Sequence, residues 1–374
     1  MVKSLHPAMS LAFPNFEPHP LIRGGHLQTI IGSYLPWMKV DYRAKQHRVP
    51  LADGDAIALH DDPPRARATG GRSVSQPGEP VVVLLHGLGG CHQSGYMQRC
   101  AVKLTERGCR VFRMDLRGYG AGIRLARHPV HAGRSEDAAA VLDFVIDLCP
   151  DSPVHLVGFS MGANIVLKLA GELGQLAPAN LASVMAVAPP IDLIACSRNM
   201  QRRVNRIYDR TFVKSLVAHI ARRRLVVPDA LHRPLNPPPR RLVDFDTVFT
   251  APLSGFADAE DYYVRASSGA LLRHIAVPTL ILSAANDPIV PVRPFETASY
   301  SPTTKLHITP CGGHLGFISR RGHDPDRRWL DWRVVEWIES QSAARVAPHA
   351  GNTRPVSEPR QQAKAAAAES PLVS

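Results

Sequence analysis

Runs of consecutive apolar residues alternate along this chain with stretches whose apolar positions recur every three or four residues. Val81-Val82-Val83-Leu84-Leu85 carries no polar alternation, which predicts a strand covered on both faces. Ser94 to Arg107 reads as a helix, Arg110 to Asp115 as a strand and Ser135 to Leu148 as a helix. Val154 to Phe159 predicts another strand, and Met161, Ile165, Leu169 and Leu173 follow at helical spacing. Leu181 to Ala188, Thr279 to Ser283 and Lys305 to Thr309 read as further strands, and Arg327 to Gln341 as a closing helix. Segments 40–50 and 56–61 supply edge strands. Such alternation predicts an α/β fold with a mostly parallel central sheet and helices on both faces. It lapses between Ala188 and Val264, which predicts an inserted helical cap at about 190–264.

Composition sets the outer bounds. A chain of 374 residues, 45% apolar and 20% charged, can bury a sizeable core. The expected domain spans 15–341. Residues 342–374, rich in Ala, Pro, Gln and Arg without apolar periodicity, read as a disordered tail. The 33 prolines cluster at 63–80, at 228–239 and in that tail, pointing to a surface loop in the first case and a bend in the insertion in the second. Neither a signal-peptide core nor an apolar run of about 18 residues occurs, so the expected location is cytoplasmic. Cys91, Cys100, Cys109, Cys149, Cys196 and Cys311 form no C-x-x-C pair and no metal spacing. They read as reduced thiols, with no metal or cofactor implied, and Cys311 as a small buried residue.

Charge is unevenly placed. From Arg198 to Arg241 twelve Lys and Arg face only Asp209 and Asp229, so this segment holds ten of the chain's net twelve positive charges. One reading is a cationic cap face that attracts anionic substrates or lipid headgroups, leaving room for peripheral membrane contact. The plainer reading is a solvated helical face, with Arg222-Arg223-Arg224 ending a helix at the negative pole of its dipole. No nucleic-acid-binding module accompanies the charge, so no nucleic-acid partner is expected. Oligomeric state is not written in any motif.

The candidate chemistry lies in Gly158-Phe159-Ser160-Met161-Gly162. A G-x-S-x-G between an apolar strand and an apolar-periodic helix is the pattern of a nucleophile elbow, in which glycines let strand and helix approach a serine held in a strained turn. In this architecture an acid and then a histidine follow the nucleophile in chain order. Asp287 stands just past the strand at 279–283, and His314 follows the strand at 305–309 within Pro310-Cys311-Gly312-Gly313-His314. Ser160, Asp287 and His314 can therefore meet at one edge of a sheet. The Gly-rich loop His86-Gly87-Leu88-Gly89-Gly90 makes the backbone amides of Leu88 and Met161 the candidate oxyanion hole, while His86 reads as a brace for that loop. Asp192, beyond the strand at 181–188, is the competing acid. Asp258 and Asp261 read as a turn or helix start, and His26 as a histidine packed on the core with Leu27 and Ile30 buried.

These motifs, together with Asp115-Leu116-Arg117-Gly118 and Gly312 to Phe317, resemble the α/β-hydrolase superfamily. Three further segments, His26 to Ile30, Tyr208 to Val213 and Gly255 to Asp258, make the chain similar to the YheT-like esterases, related to the ABHD lipases. The resemblance covers residues from about 15 to 340. It implies Ser160 as nucleophile, Asp287 as acid and His314 as base. It also implies hydrolysis of carboxylic esters, from short acyl esters to monoacylglycerol-type lipids. An acyltransferase using the same serine is a second class, although no histidine here has an aspartate five positions later. A non-catalytic scaffold is a third, disfavoured by Ser, Asp and His in order.

Overall fold

Each continuous apolar run becomes an interior strand, because only a sheet covered on both faces buries every side chain of such a run. The protein, seen in a computed structural model, is described for residues 13–34, 44–65 and 78–346. Among these described residues the eight strands are β1 (Lys45–Pro50), β2 (Ala56–Asp62), β3 (Val81–Leu85), β4 (Arg110–Met114), β5 (Val154–Phe159), β6 (Leu181–Val187), β7 (Thr279–Ala284) and β8 (Thr304–Thr309). They form one sheet in the order β1-β2-β4-β3-β5-β6-β7-β8. β1 pairs antiparallel with β2, and β2 antiparallel with β4. From β4 to β8 every pairing is parallel. Val83 is in register with Phe112 on one side and Leu156 on the other.

The chain leaves β3 for β4 on one side and then crosses to β5 on the other. That reversal opens a crevice at the strands' C-terminal ends, where open α/β sheets bind ligands. Helices α1 (Gly25–Tyr34), α2 (Gly95–Thr105), α3 (Ser135–Leu148) and α4 (Met161–Leu173) precede β6. The alternate residues of β3 divide between two cores: Val81, Val83 and Leu85 pack with Leu142 of α3 and Ile165 of α4, whereas Val82 and Leu84 pack with Met97 of α2 and with Trp337. Helices on both faces thus bury the interior strands, while β1 at one edge stays largely exposed and β8 at the other half-buried.

Between β6 and β7 runs a helical insertion of α5 (Leu193–Met200), α6 (Arg206–Val226), α7 (Leu242–Phe245), a π-helical turn at Asp246–Thr250, α8 (Ala251–Leu253) and α9 (Ala259–Ala266). It has a small core of its own in Leu216, Ile220, Phe245 and Phe249. A short α10 (Arg293–Thr297) follows β7, and α11 (Trp329–Val346) closes the chain's described part. Among the described residues no helix is long and apolar enough to cross a membrane.

Two expectations change. The closing helix runs through Val346, so residues 342–346 are helical rather than tail, and the remainder of the expected tail lies outside the described residues. Most of the 63–80 loop and residues 40–43 also lie outside them. Finally, Leu27 and Ile30 are 47% and 39% exposed, while Gln28 and Thr29 are the buried residues of α1. The helix docks through its polar side because what it meets is loop backbone, which needs hydrogen-bond partners more than apolar contact.

Candidate active site

Ser160 sits at the junction of β5 and α4 with φ 52° and ψ −117°. A non-glycine residue in that region stores strain of about 1–3 kcal/mol. The turn is possible only because its flanks are bare: a Cβ on Gly158 would lie 2.3 Å from Gly162 O, and one on Gly162 would lie 2.6 Å from the carbonyls of Leu85 and His86. The Ser160 amide donates to Val187 O at 2.8 Å, tying the turn to β6.

Asp287 follows β7 in a tight turn, where its Oδ1 accepts from the amides of Ile289 (2.8 Å) and Val290 (2.9 Å). Its other oxygen, Oδ2, lies 2.8 Å from His314 Nδ1. His314 Nε2 in turn lies 2.9 Å from Ser160 Oγ. Asp287 and His314 are buried and Ser160 is half-buried. Three strand ends thus bring together the three side chains that the motifs single out.

The segment His26 to Ile30 has a part in this geometry that its sequence does not announce. Thr29 Oγ1 donates to Gly25 O at 2.7 Å and accepts from the His314 amide at 2.8 Å. Gln28 brackets the same loop, its Oε1 accepting from Ile318 N at 2.7 Å and its Nε2 donating to Ile318 O at 3.0 Å. The Gly313 amide donates to Asn286 Oδ1 at 3.1 Å, so the acid and histidine loops are joined directly. His26 leaves the core altogether: its ring stacks on Tyr208 of α6, with Nδ1 3.0 Å from the phenol oxygen. The advance signal, besides the segment's part in the family resemblance, was a polar pair, Gln28-Thr29, set between Leu27 and Ile30.

On the other side of Ser160, a Cβ on Gly87 would lie 3.0 Å from Ser160 Cβ, so the glycine-rich loop presses directly on the serine. Among the described residues the amides of Leu88 and Met161 have no acceptor. His86 braces this loop. Its Nδ1–H donates to Gly87 O (2.7 Å) and its Nε2 accepts from Leu116 N (3.0 Å). Burial pushes its pKa down, in keeping with a neutral ring. Asp115 receives His60 Nε2 (3.0 Å), His92 Nδ1 (2.8 Å) and the Ala121 amide (2.8 Å). Burial opposes its charge, yet these bonds outweigh it and hold the carboxyl well below its usual range. Asp115 and its partners are saturated by one another, a structural role.

The competing acid stands elsewhere. Asp192 caps α5, accepting from Ala195 N at 2.9 Å, and Asp258 caps α9 by accepting from Asp261 N at 2.8 Å. Cys311 is half-buried, and burial raises its thiol pKa.

Ser160 opens into a pocket roofed by the insertion, with Leu193, Met200, Phe212, Leu216, Ile220 and Phe249 among its apolar lining. Two histidines, an arginine and an aspartate punctuate this wall besides Arg117: His131, His219, Arg223 and Asp246. Asp246 accepts from Tyr263 Oη at 2.7 Å, and burial raises its pKa to about 6.

A sequence profile described as alpha/beta hydrolase fold matches residues 80–320. The YheT protein of Escherichia coli (strain K12) is 30% identical over 327 residues, covering 86% of this chain and 92% of that protein. The chain belongs to the α/β-hydrolase family. As an α/β hydrolase it is of the esterase and lipase type, a carboxylic ester hydrolase. A phospholipase of Mus musculus, ABHD3, is 28% identical over 242 residues, covering 64% of this chain and 58% of its own. An esterase of Pyrococcus furiosus, Pf2001, matches in fold with a TM-score of 0.51 at 16% identity, over 81% of this chain and 93% of its own.

Proposed function

We propose that this α/β hydrolase cleaves carboxylic esters through a covalent acyl-enzyme on Ser160. The observation that carries the reading is the continuous relay from Ser160 Oγ to His314 Nε2 at 2.9 Å and from His314 Nδ1 to Asp287 Oδ2 at 2.8 Å. His314 takes the hydroxyl proton as Oγ attacks the ester carbonyl, and Asp287 fixes the tautomer that leaves Nε2 free to accept it. Charge then develops on the carbonyl oxygen. The unengaged amides of Leu88 and Met161 are the donors for it, each worth about 10²–10³ in turnover. His314 gives the proton to the departing alcohol, and a water deprotonated by the same nitrogen releases the acid.

The apolar lining suits an acyl chain of short to medium length or a monoacylglycerol-type lipid. Hydrolysis of p-nitrophenyl esters from acetate to long chains, compared between wild type and Ser160→Ala, tests the proposal. Serine-dependent turnover peaking at short or medium chains is expected. A folded wild type that turns over none of them and resists a fluorophosphonate probe would overturn it.

A further inference from the structure

Two arginines touch the pocket, and they are treated in opposite ways. Arg117 is surrounded by acids: its Nε and Nη2 donate to Asp137 at 3.0 and 2.6 Å, and Nη1 donates to Asp53 (2.5 Å) and Asp55 (2.7 Å). Its charge is fully answered within the protein. Arg223 of α6 is just as deeply buried, 5% exposed, but its partners are neutral. Nη2 donates to Ala126 O at 2.6 Å and reaches His128 O at 3.4 Å. Nε is buried and has no acceptor. Among the described residues no carboxylate lies within ion-pair distance of it. Asp55, a carboxylate that favours its charge from beyond ion-pair distance, is already held by Arg117 (2.7 Å) and His128 Nδ1 (2.9 Å).

Burying a guanidinium without a counter-charge is costly, and proteins answer such charges with ion pairs or full hydrogen bonding. Here burial lowers the pKa of Arg223, the direction expected of a cation short of compensation. The side chain is nonetheless firmly held. A Cβ on Gly118 would come within 3.1 Å of the guanidinium carbon. One turn earlier on α6, His219 stacks on Tyr119 at 4.0 Å. The rest of the wall supplies no compensation. Burial drives His131 down to about 2 and His219 to about 4, so both are neutral near pH 7. Asp246 is engaged by Tyr263, and among the described residues no ion pair joins it to Arg223.

We infer that Arg223 determines specificity by binding an oxyanion, a carboxylate or a phosphate, carried by the ester substrate, which supplies the counter-charge that the protein does not. The planar fork of a guanidinium whose Nε–H finds no acceptor among the described residues suits such a group. The inference rests on the ester-hydrolase reading for the reaction, while the binding it describes needs no turnover.

The test therefore reads binding in the Ser160→Ala background, by calorimetry, with two matched pairs of esters. Ethyl hydrogen glutarate against ethyl butyrate places a carboxylate on the acyl side. Butyryl glycerol phosphate against monobutyrin places a phosphate on the alcohol side. In at least one pair the anionic ester should bind ten-fold or more tightly than its neutral partner, and the pair that responds locates the anion on the acyl or the alcohol side. Adding Arg223→Gln should bring that ratio to about one, and Arg223→Lys, which keeps a charge but not the fork, should give an intermediate ratio. Arg224→Gln, at the exposed neighbouring position, should leave it unchanged. If Arg223→Gln does not fold, the lysine variant carries the comparison. Equal ratios with and without Arg223, no anionic preference in either pair, or an equal fall in Arg224→Gln would each overturn the assignment. Failure of the ester-hydrolase reading would show instead as wild-type inertness toward every neutral ester and the fluorophosphonate, with these binding ratios untouched.

Discussion

Around Ser160 the sheet region fixes every reacting group from at least two directions, whereas in the insertion above it α8 and α9 join the sheet's core through Ala251, Tyr262 and Ala266, and α6, α7 and the π-helical turn rest on a four-residue apolar core and a few polar contacts. Val187 O, the Gly158 and Gly162 flanks and the Gly87 loop confine the serine. Two turn amides hold Asp287, and Thr29 holds the backbone of His314. In the insertion, Leu216, Ile220, Phe245 and Phe249 form the core, with Asp246 hydrogen-bonded beside it. Sites on regular, densely packed elements keep their geometry to within fractions of an ångström. Elements with few buried apolar contacts open at lower free energy. The reacting groups thus stand on the rigid part and the substrate-shaping wall on the softer one.

That contrast can be broken by substitution, and the sheet side should give the larger effects. Ser160→Ala is expected to lower kcat on p-nitrophenyl butyrate by about 10⁵–10⁶-fold with an unchanged melting temperature, the scale on which losing a nucleophile acts. A residual rate within 100-fold of wild type would break the contrast outright. Gly158→Ala places its Cβ 2.5 Å from Ala163 Cα as well as against Gly162 O, and backbone cannot move aside there. A loss of about 3 kcal/mol is expected, read as a fall in urea midpoint together with activity. Asp246→Asn probes the cap. The folded-state pKa of about 6 lies above the unfolded value, near 4. Between these values the folded protein binds more protons, so wild-type stability should fall as pH rises from 4 to 6 and level off above. The asparagine variant should lack that slope, worth about 2–3 kcal/mol, in urea titrations at pH 4 and pH 7.

Smaller effects sharpen the comparison. Thr29→Val keeps shape but removes the acceptor for the His314 amide, a loss of about 1–2 kcal/mol. We expect kcat to fall about ten-fold with KM little changed, since positioning rather than substrate contact is altered. Phe249→Ala enlarges the pocket wall from the cap side. Its signature should be a shift of the preferred p-nitrophenyl ester toward longer chains, with less than about ten-fold change at the best substrate, as expected where only apolar wall contacts change. A uniform loss across all chain lengths would show that the cap supports the reacting groups after all.

Much of this was legible in residues 81–187 and 279–314, where apolar runs set the strands and the order Ser160, Asp287, His314 set the candidate chemistry. Local pattern sufficed there because a buried parallel strand and a strained turn each impose their own sequence: unbroken apolar residues in one case, flanking glycines in the other. Two features escaped it. Thr29 and Gln28 act on a loop some 285–290 positions away in the chain, and no local pattern encodes a hydrogen bond over that separation. Arg223 sits within Arg222-Arg223-Arg224, which reads as a solvated run. Only folding reveals that it shares a helical face with the buried Leu216 and Ile220 and turns inward while its neighbours stay in water. The sequence by itself determined the layered sheet, the elbow and the order of the candidate groups, since each follows from sterics and burial within one segment. The tertiary structure alone decided which polar residues brace the histidine and which of many arginines lies buried at the pocket without a counter-charge. Those depend on what distant segments leave unpaired when they meet.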